Sequence, residues 1–236
     1  MELTLTQLYQ KMRHQMGASG WWPADSKEEI IIGAILIQNT NWRNADKARL
    51  LIKSATNFQP ALILALSTSK LQELVRPAGF FKNKTKAIQS VFTWLNQYHF
   101  DYYQICKYFG PQLRQELLKL HGVGQETADV LLTYIFDVPT FICDKYARTL
   151  FTLLGVSGLT DYQSLARQID LNSEITTPIA QDFHGLIDEF GKIYFHPLEK
   201  FQTSFLASDH LRLWQINHPT CETIIWSDEV VNLVFE

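Results

Sequence analysis

The chain is predicted to be all-α, on three observations. Apolar residues recur at i, i+3, i+4 spacing over twelve separate segments, and glycine or proline punctuates many of the breaks. The only β-rich stretches, Thr223-Ile224-Ile225-Trp226 and Val230 to Phe235, lie in the tail, where Ser227-Asp228-Glu229 could turn them into a small hairpin. The periodicity predicts a first helix over 4–16. A second, over 26–38, has Asp25 or Ser26 to cap it and Glu28 and Glu29 to complement its positive end. Helices are then expected over 43–55, 60–66 and 69–75, interrupted at Pro60, Pro77 and Gly79, and over 83–96 and 101–107. Gly110 and Pro111 precede 111–119; Gly122 precedes 125–136; Pro139 separates that segment from 144–154. Gly155 and Gly158 end the latter, leaving 161–170 and 178–190, the last opened by Pro178.

A chain of 236 residues with 46% hydrophobic and 13% aromatic content can bury a sizeable core, as one domain or as two small lobes. Its longest apolar run, Ile30 to Ile37, is too short to span a bilayer. No charged segment followed by an apolar one opens the chain, so secretion is not expected. Cys106, Cys143 and Cys221 are too scattered for a disulfide framework or a metal box, which fits a reducing, cytoplasmic setting. The net charge of −3 argues against a nucleic-acid partner unless positive charge is local. It is: Arg76, Lys82, Lys84 and Lys86 stand together with no acid among them, a cluster that could meet phosphates or simply be a solvated face.

The densest motif is Leu120-His121-Gly122-Val123-Gly124-Gln125-Glu126-Thr127-Ala128. A Gly-x-Gly turn between two helices presents bare N–H groups at the positive end of a helix dipole, an arrangement suited to a phosphate oxygen. Gly122 and Gly124 are expected to be needed because close backbone approach leaves no room for a Cβ. Such turns are common. What adds weight is Asp144, eighteen residues beyond Glu126, in Cys143-Asp144-Lys145-Tyr146.

With that spacing the chain resembles the helix–hairpin–helix DNA glycosylases of the endonuclease III superfamily. Three further blocks agree in order: Gly33 to Thr40, Arg76 to Ala87, and Phe183-His184-Gly185, so the resemblance covers roughly residues 20 to 195. It implies two helical lobes with DNA and base in the cleft between them. Residues 24–137 would form one lobe, ending in the hairpin motif. Residues 1–23 with 138–195 would form the other, and 196–236 an extension of unknown role. It also implies Asp144 as the catalytic carboxylate, able to stabilise an oxocarbenium-like sugar and to orient or deprotonate the attacking water. Gln38, with Asn39, would fill the gap left by a flipped nucleotide. Lys82, Lys84, His121, Gly122, Val123, Gly124 and Thr127 would contact the DNA. A monovalent cation could sit on the carbonyls of Leu120 and Val123. The partner is then double-stranded DNA with damaged bases, met by a monomer in the cytoplasm, or at the nucleoid if the source is bacterial.

Two departures narrow the reading. Bifunctional members carry a Schiff-base lysine where this chain has Glu126, and a carboxylate cannot form an imine. Lys145 is a conceivable substitute, though a helix-surface lysine is the simpler reading. Most relatives also hold an iron–sulfur cluster on four C-terminal cysteines; residues 186–236 offer only Cys221, so no cluster is expected. Trp21-Trp22-Pro23, the Gln38-Asn39-Thr40 segment and Glu126 are most similar to the 3-methyladenine DNA glycosylases of the endonuclease III type. A cationic alkylated purine stacked between Trp21, Trp22 and Trp42 would gain cation–π energy of about 0.5–2 kcal/mol per contact, with Lys192 near the pocket. His184 reads as a structural histidine. The alternatives are a glycosylase for an oxidised or mismatched base, and a non-catalytic module that senses damaged DNA.

Overall fold

The computed structural model describes residues 1–169, 171 and 174–213 of the chain. Among them lie twelve α-helices. The hairpin expected between Thr223 and Phe235, and Cys221, fall outside the described residues.

Helix α1 (Leu5–Met16) starts at a capping box between Thr4 and Gln7. Ser26, not Asp25, caps α2 (Lys27–Leu36); Asp25 instead pairs with Lys53 at 2.7 Å. Then follow α3 (Trp42–Thr56), α4 (Pro60–Ala65), α5 (Thr68–Val75), α6 (Phe81–Asn96), α7 (Tyr102–Phe109) and α8 (Leu113–Leu118). The hairpin joins α8 to α9 (Gln125–Tyr134), and α10 (Lys145–Leu153), α11 (Tyr162–Ala166) and α12 (Thr177–Tyr194) complete the set. α2 stops two residues before its expected end: Asn39 adopts a left-handed φ of 51°, so Gln38 sits on a turn rather than a helix face. α11 is likewise shorter than 161–170, ending at Ala166.

The buried side chains form two clusters. One, built on Ile31, Ile35, Ile52, Phe92 and Leu131, draws on residues 31–142. The other, built on Leu8, Met12, Phe151, Phe183 and Phe190, joins α1 to α10 and α12. The chain therefore leaves its first segment, builds one lobe and returns to finish the other. The second core reaches past residue 195: Phe201, Leu206 and Leu211 fill it, which gives this part of the extension a packing role. A two-strand parallel pair, β1 (Glu2–Leu3) with β2 (His210–Leu211), ties the two ends of the lobe together. Two-residue strands have no period to read, so nothing in the sequence pattern announced them.

Lys84 overturns one expectation. It is 3% exposed, and its ammonium donates to the carbonyls of Leu36 (2.8 Å) and Ala78 (2.7 Å). It holds the C-terminus of α2 against the turn before α6 and cannot touch DNA. Burial pulls its pKa down to about 8. Lys82 and Lys86 on the same helix, and Arg76, remain exposed, so the basic face is real but smaller than the sequence suggested.

Candidate active site

The two lobes enclose an open cleft of about 600 Å³, lined by Gln38 and Asn39, Gly124 to Thr127, Arg148, and Asp161 to Gln163. Gly124 is the N-cap of α9 and no side chain caps that helix, so its first-turn N–H groups are left for solvent or a ligand. Gly122 has φ +77°, and a Cβ there would lie 2.5 Å from the Cβ of Ala87, so glycine is required by α6 behind it. Gly124 is different. Its φ is −90° and a Cβ would meet nothing within 4 Å. The protein itself does not demand glycine at 124; the expected need for one there concerns the approach of a phosphate. The Val123 side chain is buried in the first core, so a contact with DNA there would come from its backbone.

Other hairpin residues are placed as follows. His121 is exposed and its amide donates to the Ser90 hydroxyl. The Val123 amide donates to the Leu120 carbonyl at 3.1 Å, closing the turn. Gln38 donates from Nε2 to the Gly122 carbonyl (3.1 Å) and to the Thr127 hydroxyl (2.9 Å), so it lies flat on the hairpin. Among the described residues no group of three or more His, Cys, Asp or Glu side chains converges as a metal site.

Asp144 caps α10, its Oδ1 accepting the Ala147 N–H at 2.7 Å. Its other oxygen faces His184 Nε2 at 4.0 Å, and the carboxyl is only 14% exposed. Burial raises its pKa to about 7; the Ala147 hydrogen bond works against this, while the charges of Glu126 and Asp188 add to it. Such a carboxyl titrates where a general base should. Glu126 opens onto the cleft, and partial desolvation by its walls raises its carboxyl above the usual range.

Behind Asp144 stands an aromatic wall. Trp21 and Trp22 meet at 5.0 Å and 79°, Trp21 and Trp42 at 6.0 Å and 75°, Trp22 and Trp42 at 6.3 Å and 61°. Trp22 also touches Tyr134, and Trp21 touches His184. The indoles thus pack edge to face, the arrangement their quadrupoles favour. No slot lies between two parallel indole faces, so the expected sandwich is not preformed; Trp42, 39% exposed, is the most open of the three. Pro23 is exposed beside them. Gly33 and Gly185 make room for this wall: a Cβ at Gly185 would run into the Trp21 ring and the Ser19 hydroxyl.

Lys192 places its ammonium 5.1 Å from the Trp21 ring centre, held by Asp188 (2.6 Å) and Glu189 (2.8 Å). Against the cost of desolvation, those carboxylates raise its pKa. The two carboxylates hold it as a cation. Lys145 lines a second groove of about 290 Å³ with Thr149 and Leu198, and Arg148 borders both this groove and the cleft.

Three residues of the site escaped sequence reasoning. Arg148 lies one turn beyond Asp144 and lines the cleft. Tyr162 donates to Asp129, which a bidentate pair with Arg114 fixes at 2.6 and 2.9 Å, so α11 is latched to α8 and α9 across the cleft. Tyr134 bonds to His184 Nδ1 at 2.8 Å. The available signal was small: a tyrosine inside the apolar stripe of α9, and an arginine spaced i+4 from the suspected acid.

Comparison with known proteins agrees with this geometry. Residues 32–169 match the family described as HhH-GPD superfamily base excision DNA repair protein. A protein of Methanocaldococcus jannaschii with a provisional assignment as a DNA repair glycosylase is 34% identical over 188 residues, covering 78% of this chain and 86% of its own. Endonuclease III of Bacillus subtilis is 32% identical over 105 residues, 44% of each chain. Among solved structures, the H. pylori 3-methyladenine DNA glycosylase bound to 1,N6-ethenoadenine superposes with a TM-score of 0.63 at 26% identity, covering 80% of this chain and 98% of that one. An endonuclease III–DNA complex gives 0.61 at 22% identity over 79% and 84%, a likeness of fold. The chain belongs to the HhH-GPD superfamily of base excision DNA repair proteins and is a DNA glycosylase of that family.

Proposed function

We propose that this chain is a monofunctional glycosylase that hydrolyses the N-glycosidic bond of alkylated purines, 3-methyladenine foremost, in double-stranded DNA. The observation that carries the reading is a buried carboxylate, Asp144, set beside an aromatic wall. Glu126 stands in the lysine's place, Lys192 is held as a cation between two carboxylates, and Lys145 lines a neighbouring groove. An alkylated purine already carries positive charge and departs neutral, so the site needs a stabilised oxocarbenium and an oriented water rather than a strong acid. The electron-rich indoles favour a cationic base over neutral adenine. That the H. pylori relative was crystallised with a modified adenine supports the same class of base.

In this mechanism the phosphate backbone is held by the first turn of α9 and by Lys82. Gln38 leaves the hairpin to fill the vacated stack, and the flipped base meets the open face of Trp42 beside Trp21, Pro23 and Lys192. A monovalent cation on the Leu120 and Val123 carbonyls would neutralise part of the phosphate charge at the hairpin.

The test is release of base from methylated duplex DNA, separated by chromatography, with Asp144→Asn in parallel and borohydride in a second reaction. Free 3-methyladenine, strand breaks only after alkali and no borohydride-trapped complex are expected. Breaks without alkali, or a trapped complex, would overturn the monofunctional assignment; tight binding of damaged DNA with no base released would leave a sensor instead.

A further inference from the structure

Resting on that reading, the surroundings of Asp144 assign a second residue to the attacking water. Tyr134 has one hydroxyl proton and two partners, the Gln181 carbonyl at 3.1 Å and His184 Nδ1 at 2.8 Å. A carbonyl can only accept, so satisfying both bonds requires Tyr134 to donate to Gln181 and His184 to donate from Nδ1 to Tyr134. That fixes the tautomer. Nε2 then carries a lone pair, and it faces Asp144 Oδ2 at 4.0 Å. The other oxygen of Asp144 is already committed to Ala147.

Two acceptors at that separation repel each other unless a donor lies between them. A single water fits: with about 2.8 Å to each acceptor, its two O–H groups span the gap and its lone pairs are left pointing outward. Both side chains keep a small exposure, 12% for His184 and 14% for Asp144. Burial, then the Lys192 charge, pushes the His184 pKa down to about 4, which keeps the imidazole neutral and a poor proton acceptor beside Asp144.

We propose that His184, its tautomer set by Tyr134 and Gln181, shares the nucleophilic water with Asp144 and aims it at C1′. The C1′–N bond breaks with its electron pair leaving on the purine, the water oxygen bonds to C1′, and its proton passes to Asp144. His184 takes no proton; it orients.

A pair of variants separates this from a structural role. His184→Asn keeps a donor near the Nδ1 position, and so the tie to Tyr134, but cannot reach the water. His184→Gln gives up the Tyr134 tie and places an amide oxygen near the Nε2 position. Single-turnover base release from methylated duplex is measured for both, with dissociation constants for abasic-site DNA and melting temperatures. Water orientation predicts that His184→Asn falls roughly 10²-fold in rate with its DNA affinity unchanged, and that His184→Gln stays within about tenfold of the parent although it melts lower. The opposite order, His184→Asn the faster enzyme, would overturn the inference. If the parent releases base, a reversed order of the two His184 variants overturns the role of His184 alone; if the parent releases no base, the functional reading itself has failed.

Discussion

Asp144→Asn separates the function of this carboxyl from its contribution to the fold. Asparagine is as good an N-cap as aspartate, so its side-chain oxygen can keep the 2.7 Å bond to the Ala147 amide. What it removes is a buried charge. The carboxyl's native pKa of about 7 lies above its ordinary 3.8. Between about pH 4 and 7 the native state therefore binds more protons than the unfolded chain, and stability present in acid is lost as pH rises through 7. At about 1.4 kcal/mol per pKa unit, the three-unit gap sets an upper limit near 4 kcal/mol on the cost of ionised Asp144.

The Asn variant should accordingly be more stable than the parent at pH 8, by up to about 4 kcal/mol, and equal to it below pH 4. For a chain of this size each kcal/mol moves Tm by about 2–4 °C. Thermal melts of both proteins at half-unit steps from pH 3.5 to 8.5 would trace the divergence, while base release falls by about 10²–10⁴-fold. A Tm difference that stays flat across pH would refute the raised pKa. A parent more stable than the variant at pH 8 would show that ionised Asp144 is a stabilising cap, and the argument from desolvation would fail.

In the parent, kcat/KM for base release should rise with pH and level off above about 7, as Asp144 ionises; a profile already flat from pH 5 would assign the limiting group elsewhere. Lys84→Met should destabilise the fold by about 2–5 kcal/mol, because the Leu36 and Ala78 carbonyls lose their donor, a loss read by denaturant titration. Lys82→Ala should leave that titration unchanged but reduce the slope of log Kd against log salt by about one. Gly124→Ala should fold as well as the parent, since its φ is ordinary and its Cβ meets nothing, yet bind duplex DNA more weakly; an equal Kd would remove the phosphate from that helix end. Gly185→Ala should displace Trp21 and abolish base release even where the protein still folds, at a stability cost of about 1–3 kcal/mol.

The difference between Lys82 and Lys84 shows where sequence reasoning runs out. Both lie on α6, two residues apart, and two residues of helix turn a side chain through about 200°, from solvent into the wall of the first core. A charge count registers both as surface, whereas a helical projection puts Lys84 among Ala87, Ile88 and Val91, all buried. The information was in the period; what hid it was the prior that lysine stays wet, which two carbonyls at helix ends override. Several helices were legible for the converse reason, since α1, α3, α5 and α12 each bury one apolar face and start at a cap or a proline, whereas α2 and α9 are buried nearly all round.

The Trp21, Trp22 and Trp42 wall follows the same logic at the next level. Composition suggests that three indoles meet, but not at what angle, because that depends on Gly33 and Gly185, residues on two other helices whose missing Cβ atoms decide how close the rings can come. The Tyr134–His184–Asp144 chain is further out of reach, spanning α9, α12 and the start of α10. Sequence spacing locates groups that share one helix. A site assembled across two lobes becomes visible only when the hydrogen bonds of each member are counted, and here that count sets the His184 tautomer on which its proposed role rests.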